Sequence, residues 1–173
     1  MPYVKTNWVA GVTPLSELNM DHLETQYDEA LTRVLKTADE IVNNSTVLQN
    51  DDELFFPIAA NKIWEFRFIL LGIATGGGSF RFAQAVPAGA VLQSRAVAFE
   101  LDPANPLKDS QSSGVGTPII VHCDNSNRIM VIEGLVVNGA NAGNVQLQWC
   151  QAVLKAFDTK ILRGSCLIAH QLL

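Results

Sequence analysis

From about residue 45 onward, apolar and polar side chains alternate with a period of two, the signature of half-buried strands. Trp64, Phe66, Phe68 and Leu70 fall on one face of the clearest run, with Glu65 and Arg67 on the other. Gly76-Gly77-Gly78 breaks the chain, Phe80 and Phe82 then flank Arg81, and Pro87-Ala88-Gly89 stops that strand. Val91 to Leu101 alternates less cleanly, and Pro103 to Thr117 reads as a long polar loop. Ile119 to His122 restarts the sheet. Ile129 to Val137 is apolar on both faces apart from Glu133, which predicts a central strand covered on both sides. A turn runs from Asn138-Gly139 to Asn144. Val145, Leu147 and Trp149 then alternate with Gln146 and Gln148. Gln151 to Phe157 is expected to hold one or two helical turns. The last strand, Gly164 to Leu172, places Cys166, Ile168, His170 and Leu172 on one face and Leu167 and Ala169 on the other. Roughly eight strands without helical crossovers predict a mainly β chain, an antiparallel jelly-roll-like β-sandwich.

The start of the chain follows another rhythm. Residues 1–15 form an irregular arm punctuated by Gly11 and Pro14, with Trp8, Val9, Val12 and Leu15 among polar neighbours. Residues 16–42 carry a helical pattern, with Ser16 as N-cap and Asn43-Asn44 at the end. Met20, Leu23, Tyr27, Ala30, Val34, Thr37 and Ile41 follow a 3-4 spacing, a short heptad seam. Two readings stand: an amphipathic helix lying on its own domain, or helical self-association. The expected organisation is an N-terminal arm and helix over 1–44 and a β-sandwich domain over 45–173.

Composition narrows the function classes. The chain has 173 residues, a net charge of −5, 48% hydrophobic and only 17% charged residues. It has ample apolar material for a core, which excludes a charge-rich disordered chain. The acidic balance and the absence of a basic run argue against a nucleic-acid partner. No apolar run approaches the roughly 20 residues of a membrane span. Met1-Pro2-Tyr3-Val4-Lys5 lacks the apolar core of a secretory signal, so synthesis in a cytoplasm is expected. High apolar content with low charge points to surface buried against other chains.

No catalytic constellation emerges. Gly76-Gly77-Gly78 lacks the GK[ST] ending of a phosphate loop. His22, His122 and His170 have no metal-ligand spacing, and Cys123, Cys150 and Cys166 form no CxxC pair, so they read as reduced thiols. His122 and Cys123 are adjacent on a strand and point to opposite faces, which prevents a side-by-side nucleophile pair. Gly164-Ser165-Cys166 is not a nucleophile elbow. Asp51-Asp52-Glu53 reads as a solvated turn rather than a cation loop. The turns at 124–127 and 138–144 could contact a glycan or protein, although Asn, Asp and Gly are also what tight turns require. No cofactor or metal is expected.

Leu54-Phe55-Phe56-Pro57-Ile58-Ala59-Ala60-Asn61-Lys62-Ile63-Trp64-Glu65-Phe66, Val86-Pro87-Ala88-Gly89-Ala90 and Ile132-Glu133-Gly134 are segments that resemble bacteriophage virion appendage proteins, such as tail-fibre and minor structural proteins. Ala142-Gly143-Asn144-Val145-Gln146-Leu147-Gln148-Trp149 and Leu162-Arg163-Gly164-Ser165-Cys166-Leu167 complete the similar islands, and the arm around Trp8 is similar to the N-terminal segments of such proteins. Cys150 stands where that family usually has a small residue such as Ala. The resemblance implies a non-enzymatic virion structural protein, a homotrimer that serves as a capsid decoration or head-fibre protein. Trp8, Val9, Val12 and Leu15 would anchor it to other virion proteins. Met20, Leu23, Tyr27, Ala30, Val34 and Ile41 would form the subunit interface. The alternative is a tail-fibre or baseplate module that recognises a host surface glycan or protein.

Overall fold

Strand β4 (Ile63–Ala74) is the spine of the molecule, twelve residues whose alternation matches the pattern read from the sequence. Trp64, Phe66, Phe68 and Leu70 are buried, while Glu65 and Arg67 are exposed. The computed structural model describes residues 31–99, 107–113, 115–123 and 127–172. The other strands are β1 (Leu31–Leu35), β2 (Glu40–Val42), β3 (Gln49–Ile58), β5 (Phe80–Ala85), β6 (Val91–Phe99) and β7 (Leu107–Ser113). After them come β8 (Ile119–Val121), β9 (Arg128–Val137), β10 (Gly143–Gln151), β11 (Thr159–Ile161) and β12 (Cys166–Gln171).

All the pairings are antiparallel and form two sheets. The larger has eight strands, in the order β1-β12-β4-β9-β6-β7, with β11 on the far half of β4 and β2 beyond it. The smaller runs β3-β10-β5-β8. Between β3 and β10 the chain changes sheet at every step except β6 to β7, so the two sheets interleave. They share one core: Phe56 of the small sheet meets Trp64 and Phe66 of the large one at ring-centroid distances of 5.5 and 6.1 Å. Buried polar links also join the sheets, among them Ser94 Oγ donating to Gln84 Oε1 at 2.7 Å and Gln151 Nε2 donating to Thr159 Oγ1 at 3.2 Å. The arrangement is a mainly β, sandwich-like fold.

Close packing explains one glycine. A Cβ on Gly134 would stand 2.5 Å from the Gln93 carbonyl oxygen and 2.8 Å from Phe66 Cζ. Only hydrogen leaves room for the Phe66 ring to cross β9.

Four expectations are corrected. Where the helix expected over 16–42 falls on described residues the chain forms strands instead: Leu31–Leu35 pairs with β12 over five rungs, and Glu40–Val42 pairs with β11. The β-branched residues Thr32, Val34, Ile41 and Val42 suit strands, and cross-strand pairing decided between two periods that a short apolar run cannot separate. Leu31–Leu35 and Glu40–Val42 thereby belong to the large sheet. The polar loop of 103–117 contains β7, an edge strand whose polar sequence, LKDSQSS, suits its place at the sheet margin. Gln151 to Phe157 forms bends and holds no helical turn. Asp51 is no solvated turn residue but is buried in an ion-pair network.

That network centres on Lys36, 2% exposed, whose Nζ lies 2.8 Å from both Asp51 Oδ1 and Glu40 Oε2. Asp51 Oδ1 also accepts the backbone N–H groups of Glu53 and Leu54 at 3.0 and 2.9 Å. Burial alone would lower the ammonium pKa, but the hydrogen bonds and charges of Asp51 and Glu40 more than offset it and hold Lys36 above its ordinary value. Glu53 accepts from the Thr37 and Ala38 backbone N–H groups, which fixes the turn that follows β1. The first strands are thus clamped to the opposite sheet.

Candidate functional site

The outer face of the eight-stranded sheet departs from the usual solvated side of an antiparallel sheet. Residues directly opposite across neighbouring strands share a face, so the pairing register gives rows running across it. One row is Leu31, His170, Glu65, Leu135 and Gln93. The next is Arg33, Ile168, Arg67, Glu133 and Arg95. The third is Leu35, Cys166, Ile69, Val131 and Val97. Beyond these lie Ile63, Val137 and Val91 at one end and Leu71, Ile129 and Ile73 toward the other. Leu135 is 48% exposed, and Val137, Ile129, Val91 and Leu35 are exposed to a similar or greater degree. The expectation that β9 is covered on both faces is corrected among the described residues: its inner row is buried, while Ile129, Leu135 and Val137 of its outer row are exposed.

Charged side chains interrupt this apolar field, most densely in the second row. Glu133 accepts from Arg95 Nε at 2.8 Å and from Arg67 Nη2 at 3.1 Å. The Arg95 hydrogen bond, with the charges of Arg95 and Arg67, holds the Glu133 carboxyl below its ordinary value against a smaller opposing effect of burial. Three arginines, Arg33, Arg67 and Arg95, face Glu133 alone in this row, so the row is net basic on an acidic chain, while Lys160 at the far side pairs with Asp158 at 3.1 Å. The outer face of the small sheet differs, carrying Asn144, Gln146 and Gln148 on β10.

A second apolar patch lies at one end of the molecule, where the 43–48, 75–79 and 151–158 connections meet. Val47, Val153, Leu154 and Phe157 are exposed there. Buried Gln151 braces the loops, donating to the Phe157 carbonyl at 2.7 Å and accepting from the Ser45 N–H at 3.2 Å. The Phe157 ring fills the space beside Gly76, whose φ of +67° a side chain would resist.

Of the residues expected to act, Trp8, Val9, Val12, Leu15, Met20, Leu23, Tyr27 and Ala30 lie outside the described residues, as does His22. Val34 and Ile41 do not form one stripe: Val34 packs half-buried against the core, while Ile41 is exposed beside Lys160. Asn138, a candidate for outside contact, is buried and uses its amide to hold the Ala59 and Asn141 carbonyls, each at 2.8 Å. His122 is exposed and Cys123 buried, on opposite sides as their adjacency requires. Burial pushes the Cys150 thiol up, with Arg81 opposing, and its Sγ donates to the Thr46 carbonyl. Among the described residues no three His, Cys, Asp or Glu side chains gather as metal ligands. No described helix is long and apolar enough to cross a membrane. The apolar outer face was visible in the sequence as double-sided apolarity, in 129–137 and in the uncharged run Phe68 to Ala74.

No protein-family model and no curated protein matches the chain. Likeness to solved structures is faint. The tripod (BppUct-A-L) from the baseplate of bacteriophage Tuc2009 aligns with 99% of this chain and 75% of its own, at 9% identity and a TM-score of 0.38. The infectious bursal disease virus VP2 subviral particle aligns with 82% of this chain at 7% identity and a TM-score of 0.24, over 40% of its own length.

Proposed function

We propose that the protein is a non-enzymatic structural component of a bacteriophage virion, a homotrimeric capsid decoration or head-fibre protein. The observation that carries this reading is its exposed apolar surface, on the outer face of the large sheet and at the loop end of Val47, Val153, Leu154 and Phe157, on a chain with 17% charged residues. Surface of that kind works by being covered. The motif islands resembling virion appendage proteins favour the same role, and many of them fall at structural joints. Ala59 to Lys62 and Asn138 to Gly143 form the laced turns, where the Asn61 N–H donates to the Gly139 carbonyl at 2.7 Å. The interleaved orders β3-β10-β5-β8 and β4-β9-β6-β7 support a jelly-roll reading of the domain. Residues 1–15, with Trp8, Val9, Val12 and Leu15, serve as the anchor to other virion proteins.

The seam of Met20, Leu23, Tyr27 and Ala30 ends where β1 begins, too short for a stable coiled coil. Subunit contact is therefore assigned to the β-domain, with the loop end of Val47, Leu154 and Phe157 as its apolar core. That same braced loop end favours a second reading, a tail-fibre or baseplate module that binds a host surface protein or glycan.

Quantitative mass spectrometry of purified particles together with light scattering of the isolated protein tests the role. Many copies per particle and a trimer mass are expected. A handful of copies favours the tail reading, and absence from particles rejects both.

A further inference from the structure

The cluster of Lys36, Asp51 and Glu40 holds more than a salt bridge needs. Lys36 Nζ lies 2.8 Å from both Asp51 Oδ1 and Glu40 Oε2, and the Lys36 and Asp51 side chains are 1% and 0% exposed. Both partners are fixed by the backbone around them. The Lys36 N–H donates to the Ser165 carbonyl at 2.8 Å, and the Lys36 carbonyl accepts from the Gly164 N–H at 2.9 Å. Asp51 Oδ1 accepts the N–H groups of Glu53 and Leu54 at 3.0 and 2.9 Å.

Four features of this geometry belong to an acyl-transfer site. The first is the nucleophile. A nitrogen hydrogen-bonded to one carboxylate oxygen stands within about 4 Å of the carboxyl carbon, close to the ~3–3.5 Å of a near-attack pair. The second is the pair of backbone N–H groups on Oδ1, the arrangement that stabilises the oxyanion of a tetrahedral intermediate. The third is Asp51 Oδ2, buried and without a hydrogen-bond partner among the described residues, which is the oxygen left to depart. The fourth is Glu40. Its Oε2 touches Nζ and accepts from the Asp52 N–H at 3.1 Å, while Gln49 donates to its Oε1 at 2.9 Å. A carboxylate so held beside the nucleophile serves as a proton relay.

We propose that the Lys36 amine and the Asp51 carboxyl condense into an intramolecular amide, which covalently joins the end of β1 to β3. Glu40 carries one proton from Nζ to Oδ2, leaving a neutral amine beside a neutral carboxyl. Nζ attacks Cγ, and negative charge gathers on Oδ1 between the Glu53 and Leu54 N–H groups. The Cγ–Oδ2 bond breaks, Glu40 delivers a second proton from Nζ, and Oδ2 departs as water. The third proton stays on the amide nitrogen, so atoms and charge balance without a co-reactant. Burial favours the product, because a neutral amide replaces two desolvated charges. The link closes a ring between positions 15 apart and ties an edge strand of the large sheet to the small sheet. Unreacted chains keep the ion pair and its titration, whereas linked chains have no Lys36 ammonium left to titrate. The inference needs no part of the virion reading.

The test is mass spectrometry of the full chain after incubation at neutral pH. The folded protein should weigh one water less than its sequence. Trypsin should leave Lys36 uncut, and the peptide from Val34 to Lys62 should run one water light, with no backbone fragment that separates Lys36 from Asp51. Lys36→Arg, which keeps the charge pair, should have its full sequence mass. Glu40→Gln should lower the linked fraction at a fixed time by at least about tenfold while near-ultraviolet circular dichroism is retained. A wild-type chain at its sequence mass, with Lys36 open to trypsin, overturns the proposal. So does a loss of water with Lys36 still cut, the mark of an aspartyl succinimide, and so does the same loss in Lys36→Arg. Linking as fast in Glu40→Gln as in wild type overturns the relay.

Discussion

Replacing Lys36 with Met leaves a buried carboxylate without its counter-charge. Asp51 is 1% exposed, and its Oδ2 has no hydrogen-bond partner. After Lys36→Met, Oδ1 keeps only the neutral N–H donors of Glu53 and Leu54. Glu40 is better placed, because its side chain is 10% exposed and still accepts from the Asp52 backbone and the Gln49 amide. The loss therefore falls mainly on Asp51. Breaking one partner out of a buried pair costs about 3–5 kcal/mol. For a chain of this size that lowers Tm by roughly 10 °C. In urea the midpoint should fall with an unchanged m-value. Lys36→Met/Asp51→Asn should recover part of the loss, because the stranded charge is gone. Because the folded-state pKa of Lys36 is raised above 10.5, its contribution is complete below that value and is lost as pH rises through the folded pKa. Wild-type stability should accordingly decline in strong alkali along a limb that Lys36→Met lacks. A Lys36→Met loss under about 1 kcal/mol would refute the argument, since it would mean the ammonium does not neutralise a desolvated carboxylate.

Two further substitutions probe the sheet. Gly134→Ala should destabilise by about 2–3 kcal/mol, because its Cβ would meet the Gln93 carbonyl and Phe66 with no flexible neighbour on the backbone side; an unchanged thermal midpoint would contradict the close approach. Glu133→Gln should cost only about 0.2–1 kcal/mol, as its arginine partners are more than half exposed. Its carboxyl pKa is lowered from 4.5, so the contribution is complete above that pH and is lost as pH falls through the folded value. Acid titration of the variant by circular dichroism should thus be shallower than that of wild type.

The sequence by itself determined the strands with strong alternation. Trp64 to Leu70 and Val145 to Trp149 bury the residues that their period of two assigns inward. A strand with one wet face carries this information locally, in its own side chains. The antiparallel, mainly β class followed from the same signal and from the lack of crossover helices. Only the tertiary structure decided what depends on partners distant along the chain. Leu31–Leu35 is a strand because Cys166–His170 lies beside it, and Leu107–Ser113 is one because β6 offers an edge. Asp51 is buried because Lys36 arrives from another strand to neutralise it. The sheet order and the apolar outer face belong to this second kind, for a row across five strands is composed of residues that the sequence never places side by side. Periodicity reports which way a side chain points along one strand, and pairing settles what stands next to it and whether anything covers it.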